Sequence, residues 1–393
     1  MLKYGRICWR HDGRFFKGTL ERELLRRRPT FPGNYLKRRK EVMKKFLALL
    51  LTLAMALSLA ACGGSGGSND GGSSAPADGE QQQAEPADSG SSDGGDESYN
   101  ISVILKTTAS EYWSYVVAGA NAYQKDHPNV TVTVKGATSE TAYDEQLNMI
   151  ETDMNNGDID GYVIAPLQAD MVANMISGQT KPIVAVDTDI DAPEVLSFVG
   201  TGNEAAAKLG GEAAAKLAKE RGWEEIKCIE IAGVQGDSTN EARMAGYKAG
   251  IEAAGGTFLS DETQYANAVA DQAVTCMEAI IQNHPEGIAV ICANNDDMAM
   301  AAARAAAASG NENYKNTVFL GFDGIQSACN SILAGEETMS VCQEGYSMGY
   351  NSVDAVVRAL QGEQLDEFID AGASIVDPSN AQARLEQLQG YLA

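Results

Sequence analysis

From Tyr99 onward, short apolar runs alternate with longer stretches whose apolar residues recur at helical spacing. Ile101–Leu105, Val130–Val134, Gly161–Ala165, Ile183–Val186, Ile226–Ile231, Thr257–Ser260, Ile288–Cys292, Val318–Gly321 and Met339–Cys342 read as strands. Most have no polar face, which suits strands buried on both sides of a parallel sheet. The segments between, such as Glu204–Arg221 and Asn240–Ala254, read as helices. Alternation of this length predicts parallel sheets with right-handed crossovers, an α/β fold. There are too many strands for one core. Near Val195–Asn203 one strand follows another with no helix between, so the chain is expected to change domains there. Two doubly wound parallel-sheet lobes are the expected architecture.

The pattern changes abruptly where each run stops. Ile288–Cys292 ends in Asn294, Asn295, Asp296 and Asp297 before an alanine-rich helical stretch opens at Met298. Amides and carboxylates there cap the free N–H groups of a helix. They also stand where open α/β sheets place ligands, at the carboxyl ends of the strands. Val318–Gly321 leads to a second acid, Asp323, at the equivalent place. Ser110, Tyr112 and Trp113 follow the first strand, and Asp187 and Thr188 follow Ile183–Val186. A Gly-Asp-Ser-Thr-Asn turn leads to Arg243, Tyr265 comes after Thr257–Ser260, and Gln343 closes the last strand. Taken singly, Tyr112 and Trp113 are equally well explained as core, Arg243 as a solvated helix charge and Gln343 as an edge residue. Their recurrence at strand ends favours a polar ligand site. Amides, carboxylates, a guanidinium and aromatics, with no nucleophile–base pair, suit a sugar: planar polar groups bond adjacent hydroxyls while aromatic faces cover C–H faces.

Ahead of Tyr99 the character is different. Residues 1–42 are basic and without sustained apolar periodicity. Met43–Lys44–Lys45, the mostly apolar Phe46–Ala61 and Leu59–Ala60–Ala61–Cys62 then have the layout of a secretory signal. Met43 is the expected start, residues 1–42 being a dispensable extension. The apolar run is short for a bilayer span. From Gly63 to Ser98 the chain is Gly, Ser, Ala, Pro and polar residues with no aromatic or branched aliphatic side chain, so it is expected to be a disordered tether. Its reach as a flexible coil is roughly 30–36 Å.

Charge and cysteine content narrow the function. The net charge of −24 divides into a basic segment up to Ala61 and a strongly acidic body. An acidic body argues against nucleic acid, whose phosphates need basic neutralisation. Only 3 His are present, and the 7 Cys show no zinc-like spacing, so no metal or other cofactor is expected. Cys228, Cys292 and Cys342 lie within apolar runs and are expected to be small core residues.

Several of these motifs together resemble the ribose-type periplasmic sugar-binding proteins, the substrate-binding components of ABC importers. The markers are Tyr112–Trp113, Pro182–Asp187 (PIVAVD), Arg243–Tyr247 (Arg-x-x-Gly-Tyr), Asn294–Met298, Gly321–Gly324 (GFDG) and Val341–Gln343. Leu59–Cys62 resembles the bacterial lipobox, which makes Cys62 the expected lipidated residue. The resemblance covers Tyr99 to about Val376 and implies a type I periplasmic binding fold with a multi-strand hinge. The expected lobes are 99–202 plus 344–372 and 203–343 plus 373–393. It implies Ser110 as a polar contact, Tyr112, Trp113 and Tyr265 as stacking aromatics, and Asp187, Arg243, Asn295, Asp323 and Gln343 as hydrogen-bonding contacts. Ribose binders carry arginine at the place of Thr188, and asparagine is common at that of Ser110, so ribose itself is not implied. Thr188 is expected to leave room for a larger, pyranose sugar.

The implied function is capture of a monosaccharide by hinge closure and delivery to an ABC permease, by a monomer held by lipid on the outer face of the cytoplasmic membrane. A chemosensory protein for a sugar-like signal, such as a furanosyl autoinducer, is the alternative. An exported carbohydrate enzyme is more remote, and would need Asp187 and Asp323 at glycosidase separation. A repressor of the same fold would need a DNA-reading domain where the signal stands.

Overall fold

The computed structural model describes residues 97–393. The expected extension, signal, lipidated Cys62 and all but the last two residues of the tether lie outside the described residues.

Two sheets organise the described chain. The first contains β1 (Tyr99–Thr107), β2 (Val130–Ala137), β3 (Gly161–Ile164), β4 (Ile183–Val186), β5 (Val195–Gly200) and β12 (Phe368–Asp370), in the order β12-β5-β4-β3-β1-β2. All its pairings are parallel. The second contains β6 (Lys227–Ala232), β7 (Thr257–Phe258), β9 (Val290–Ala293), β10 (Val318–Asp323), β11 (Met339–Gln343) and β13 (Ala373–Val376), in the order β13-β11-β10-β9-β6-β7. The two-residue β8 (Gln264–Tyr265) also pairs with β6. Only β13 runs antiparallel, beside β11. β3, β4, β9, β10 and β11 are buried along their whole length. Helices on both faces explain why these strands read as unbroken apolar runs.

The chain passes from the first sheet to the second after β5, returns after β11, and crosses once more between β12 and β13. The helix Gly345–Leu360 packs against Glu111–Asp126 on the first lobe. Gly119 and Gly349 make this approach possible, because a Cβ at Gly349 would collide with the Val116 carbonyl. In the second lobe Asn203–Glu220 packs on Ser238–Ala253 through Gly246 and Gly250 in the same way. The C-terminal helix Ala381–Tyr391 lies against Gln326–Ala334.

One sequence expectation needs correction, and two strands were not expected. The strand expected over Thr257–Ser260 stops at Phe258, and a 3-10 turn follows over Ser260–Glu262. Only Thr257 and Phe258 lie in register with β6, opposite Lys227 and Cys228. β12 and β13 lack an apolar run because they lie at sheet edges and are largely exposed. Cys228, Cys292 and Cys342 are buried free thiols in strands, the sulfurs of Cys228 and Cys292 being 3.4 Å apart. Among the described residues no helix is long and apolar enough to cross a membrane.

Candidate functional site

The carboxyl ends of β1 and β4 face those of β6, β9 and β10 across a polar cavity between the lobes. From the first lobe come Lys106, Tyr112, Trp113, Glu140 and Asp187. Asp237, Asn240, Arg243, Asn294, Asn295 and Asp323 come from the second.

The helix Glu111–Asp126 begins immediately after β1, which sets Tyr112 and Trp113 in its first turn, aimed inward. Their rings meet edge-on, 5.2 Å between centroids. Tyr112 Oη donates to Asp187 Oδ1 at 2.8 Å, and Trp113 Nε1 donates to Glu140 Oε1 at 3.1 Å. Both rings are therefore fixed by their polar tips. Asp187 ends β4 with φ of 62°, a conformation that a non-glycine residue holds only where its surroundings enforce it. Ser110 stands at the N-cap of the helix, half-buried, with no side-chain capping bond.

On the opposite lobe, Asp237 caps the helix Ser238–Ala253 by accepting from the Asn240 amide at 2.9 Å. Its other oxygen accepts from Lys106 Nζ at 2.6 Å, an ion pair that crosses the cleft between side chains 6 % and 10 % exposed. Thr188 Oγ1 and Thr239 Oγ1 make a second crossing at 2.9 Å. Arg243 is buried and spread over several partners. Its Nε donates to Asn203 Oδ1 and one terminal nitrogen to the Asn294 carbonyl, both at 2.8 Å. Its guanidinium sits 3.8 Å from the Phe322 ring centroid and 3.7 Å from Asp323 Oδ1. Asn295 caps the helix Asp296–Ala308, accepting from the Met298 amide at 3.0 Å. Asp323 ends β10 with φ of 121°, and Gln343 Nε2 donates to its Oδ1 at 2.7 Å.

The charges shift one another. Burial opposes the Lys106 ammonium, but Asp237, Glu140 and Asp187 outweigh it and hold the group above its ordinary value. Burial likewise opposes the Asp237 carboxylate, and Lys106 reverses the balance and lowers it. For Asp323 burial wins over the Arg243 guanidinium and the carboxyl lies well above its ordinary range. Burial also raises Glu140, against the pull of Lys106. Such divergence among neighbouring groups is the usual mark of a built site.

Six of the ten residues singled out from sequence line the cavity: Tyr112, Trp113, Asp187, Arg243, Asn295 and Asp323. Gln343 lies behind Asp323 and reaches the cavity only through it. Thr188 does not itself line the cavity; its hydroxyl is bonded to Asp187 Oδ2 and to Thr239, which does. Tyr265 is 36 % exposed and off the cavity; Ala268, with φ of 59°, lines it instead. The two-residue β8 ends at Tyr265, so the following turn and not the strand end faces inward. Sequence reasoning missed Lys106 and Glu140 as lining residues; it marked Asn294 and the turn holding Asp237 and Asn240 at strand ends without singling these three out as ligand contacts. A lone lysine closing an otherwise apolar strand was the available signal for Lys106. Glu140 follows the edge strand in a polar stretch and gave none.

A family model described as "Periplasmic binding protein domain" matches residues 101–364. A D-ribose/D-allose-binding protein from Pseudomonas aeruginosa is 27% identical over 275 residues, 67% of this chain and 82% of its own. Among solved structures, an ABC transporter solute-binding protein from Agrobacterium vitis with bound D-fucose superposes with a TM-score of 0.66. It is 25% identical and covers 74% of this chain and 99% of its own. A carbohydrate transporter solute-binding protein from Agrobacterium radiobacter in complex with D-arabinose gives 0.67 at 25% identity, over 74% and 98%. With two α/β lobes, a cavity at their facing strand ends and a family match over most of its length, the chain belongs to the periplasmic binding protein family.

Proposed function

We propose that this protein is an exported substrate-binding lipoprotein that captures a monosaccharide between its lobes and delivers it to an ABC permease. The observation that carries the reading is the composition of the cavity: four carboxylates, three amides, two cations and two fixed aromatic rings, contributed by both lobes. Planar acceptors and donors pair with adjacent hydroxyls, and the Tyr112 and Trp113 rings cover a C–H face. Because each lobe supplies part of the contact, sugar favours the form in which the lobes meet, and a permease can recognise that form. No catalytic step is required of these residues.

The D-fucose and D-arabinose bound by the two structural relatives support a monosaccharide of pentose or hexose size as the ligand class. Of the residues resemblance implies, Tyr112, Trp113, Asp187, Arg243, Asn295 and Asp323 are proposed as direct contacts. Ser110, Thr188, Tyr265 and Gln343 are not placed on the cavity wall. Anchoring through Cys62 is supported by Leu59–Cys62 after an apolar segment, and action as a monomer completes the reading. A thermal-shift screen against D-ribose, D-allose, D-fucose, D-arabinose, D-galactose and myo-inositol tests it. A sugar-specific rise in Tm is expected, and no response across the panel would refute it.

A further inference from the structure

Asp323 leaves β10 with φ of 121° and Gly324 follows with φ of 67°, so the chain reverses sharply at a wall of the cavity. The carboxylate of Asp296, fully buried at the start of the helix Asp296–Ala308, holds that reversal from behind. Its Oδ2 accepts from the Ile325 amide at 3.0 Å. Its Oδ1 accepts from Ser340 Oγ at 2.5 Å, and Ser340 Oγ in turn accepts from the Gly324 amide at 3.1 Å. The two amides after Asp323 thus converge on one carboxylate. Arg384 holds the Gly324 carbonyl separately, at 3.3 Å.

We propose that Asp296 is the positioning residue for Asp323: in its ionised form it binds the Ile325 amide directly and the Gly324 amide through Ser340, and so keeps the Asp323 carboxyl aimed into the cavity. A second feature makes that form conditional. Glu337 is 1 % exposed, neither of its oxygens has a conventional partner, and it faces Asp296 across the bare α-carbon of Gly321. Two carboxyl groups without an intervening cation do not both ionise, so Glu337 keeps its proton and Asp296, held by the turn, is the ionised member. Asp297, Asp323, Cys329, Cys342 and Tyr247 are further titratable neighbours of Asp296, and the Arg384 guanidinium reaches the same turn at the Gly324 carbonyl. Burial raises Asp296 to about 7, with the Ser340 and backbone hydrogen bonds working against the rise. Protonation below that value takes an acceptor from the turn and frees Asp323 to leave its binding geometry.

Only the affinity arm of the test depends on Asp323 touching a sugar. Hydrogen exchange in the sugar-free protein at pH 8 should show the Gly324 and Ile325 amides exchanging at least tenfold faster in Asp296→Asn. In Ser340→Ala the increase should be confined to Gly324. Unchanged exchange at both amides in both variants would overturn the proposal, whatever the ligand. With the tightest binder among D-fucose, D-arabinose, D-allose and D-ribose, wild-type Kd should rise about tenfold from pH 8 to pH 6, since only the ionised fraction is competent. Asp296→Asn should bind more weakly at pH 8 and lose this slope, and Glu337→Leu, which replaces a protonated polar neighbour by an apolar one, should move the midpoint of the unmutated profile to higher pH. A wild-type pH profile in Asp296→Asn would assign the titration to Asp323 and contradict the proposal. If no sugar binds, the monosaccharide reading fails while the exchange experiment still decides the positioning role.

Discussion

The Lys106–Asp237 ion pair offers a direct handle on lobe closure, because its two members belong to opposite lobes. Replacing Lys106 by Met keeps the aliphatic stem and removes the charge. At 2.6 Å the attraction is strong, and with both side chains at most 10 % exposed water screens it little. Desolvation of both charges consumes much of that gain. Truncating one partner of such a buried cross-interface pair costs about 2–3 kcal/mol, roughly 30- to 150-fold in the ratio of closed to open forms. Asp237→Asn removes the opposite charge but retains a side chain that caps the helix Ser238–Ala253, so its fold should survive. Distances between spin labels on the two lobes, measured without sugar, read the ratio. Both variants should shift toward the open form by similar amounts, and the double variant should add little. Fully additive shifts, or no shift in either variant, would refute the pair as a closing contact.

Other outcomes follow from the site and its surroundings. Asp323→Ala and Asn295→Ala should each weaken sugar binding by about 1.5–3 kcal/mol, 10- to 150-fold by calorimetry, by leaving hydroxyls unpaired in a desolvated cavity. Asn295→Ala should also lower stability by about 1 kcal/mol, since Asn295 caps the helix Asp296–Ala308. Glu230, whose carboxyl burial pushes up to about 8, binds its proton more tightly folded than unfolded. Its contribution is therefore full below the ordinary carboxyl range and lost as pH rises toward 8, a change on the order of a few kcal/mol. Denaturant unfolding at pH 5 and pH 8.5 should show Glu230→Gln gaining on the unmutated protein at the higher pH; parallel behaviour would count against the buried charge. Cys62→Ala should move the protein from the membrane fraction to the medium, and retention at the membrane would rule out the lipid anchor.

The fold was legible because its central strands are buried on both faces, which writes them into the chain as apolar runs such as Val318–Asp323. Two of the edge strands carry no such mark: Phe368–Asp370 and Ala373–Val376 are mostly exposed and escaped notice. The cavity was legible in part for a related reason, since strand ends place Asp187, Asn295 and Asp323 on one rim. What failed was reasoning about direction. Thr188 lies beside Asp187 in sequence, yet its side chain turns to Thr239 instead of the cavity. Tyr265 stands at a strand end, but Ala268 in the turn beyond it faces inward. Asp296 read as a helix cap, whereas its carboxylate reaches across to Ile325 and Ser340, contacts between residues 29 and 44 positions apart. Pairings at such separations depend on packing that local patterns do not encode.

Capture of a monosaccharide between the lobes is tested most directly by calorimetric titration of D-fucose, D-arabinose, D-allose and D-ribose into the protein and its Asp323→Ala variant. At least one sugar should bind at about one per chain with Kd near or below about 10 μM, and the variant should lose at least about tenfold. No heat of binding with any of the four, or equal affinity in the variant, would contradict it.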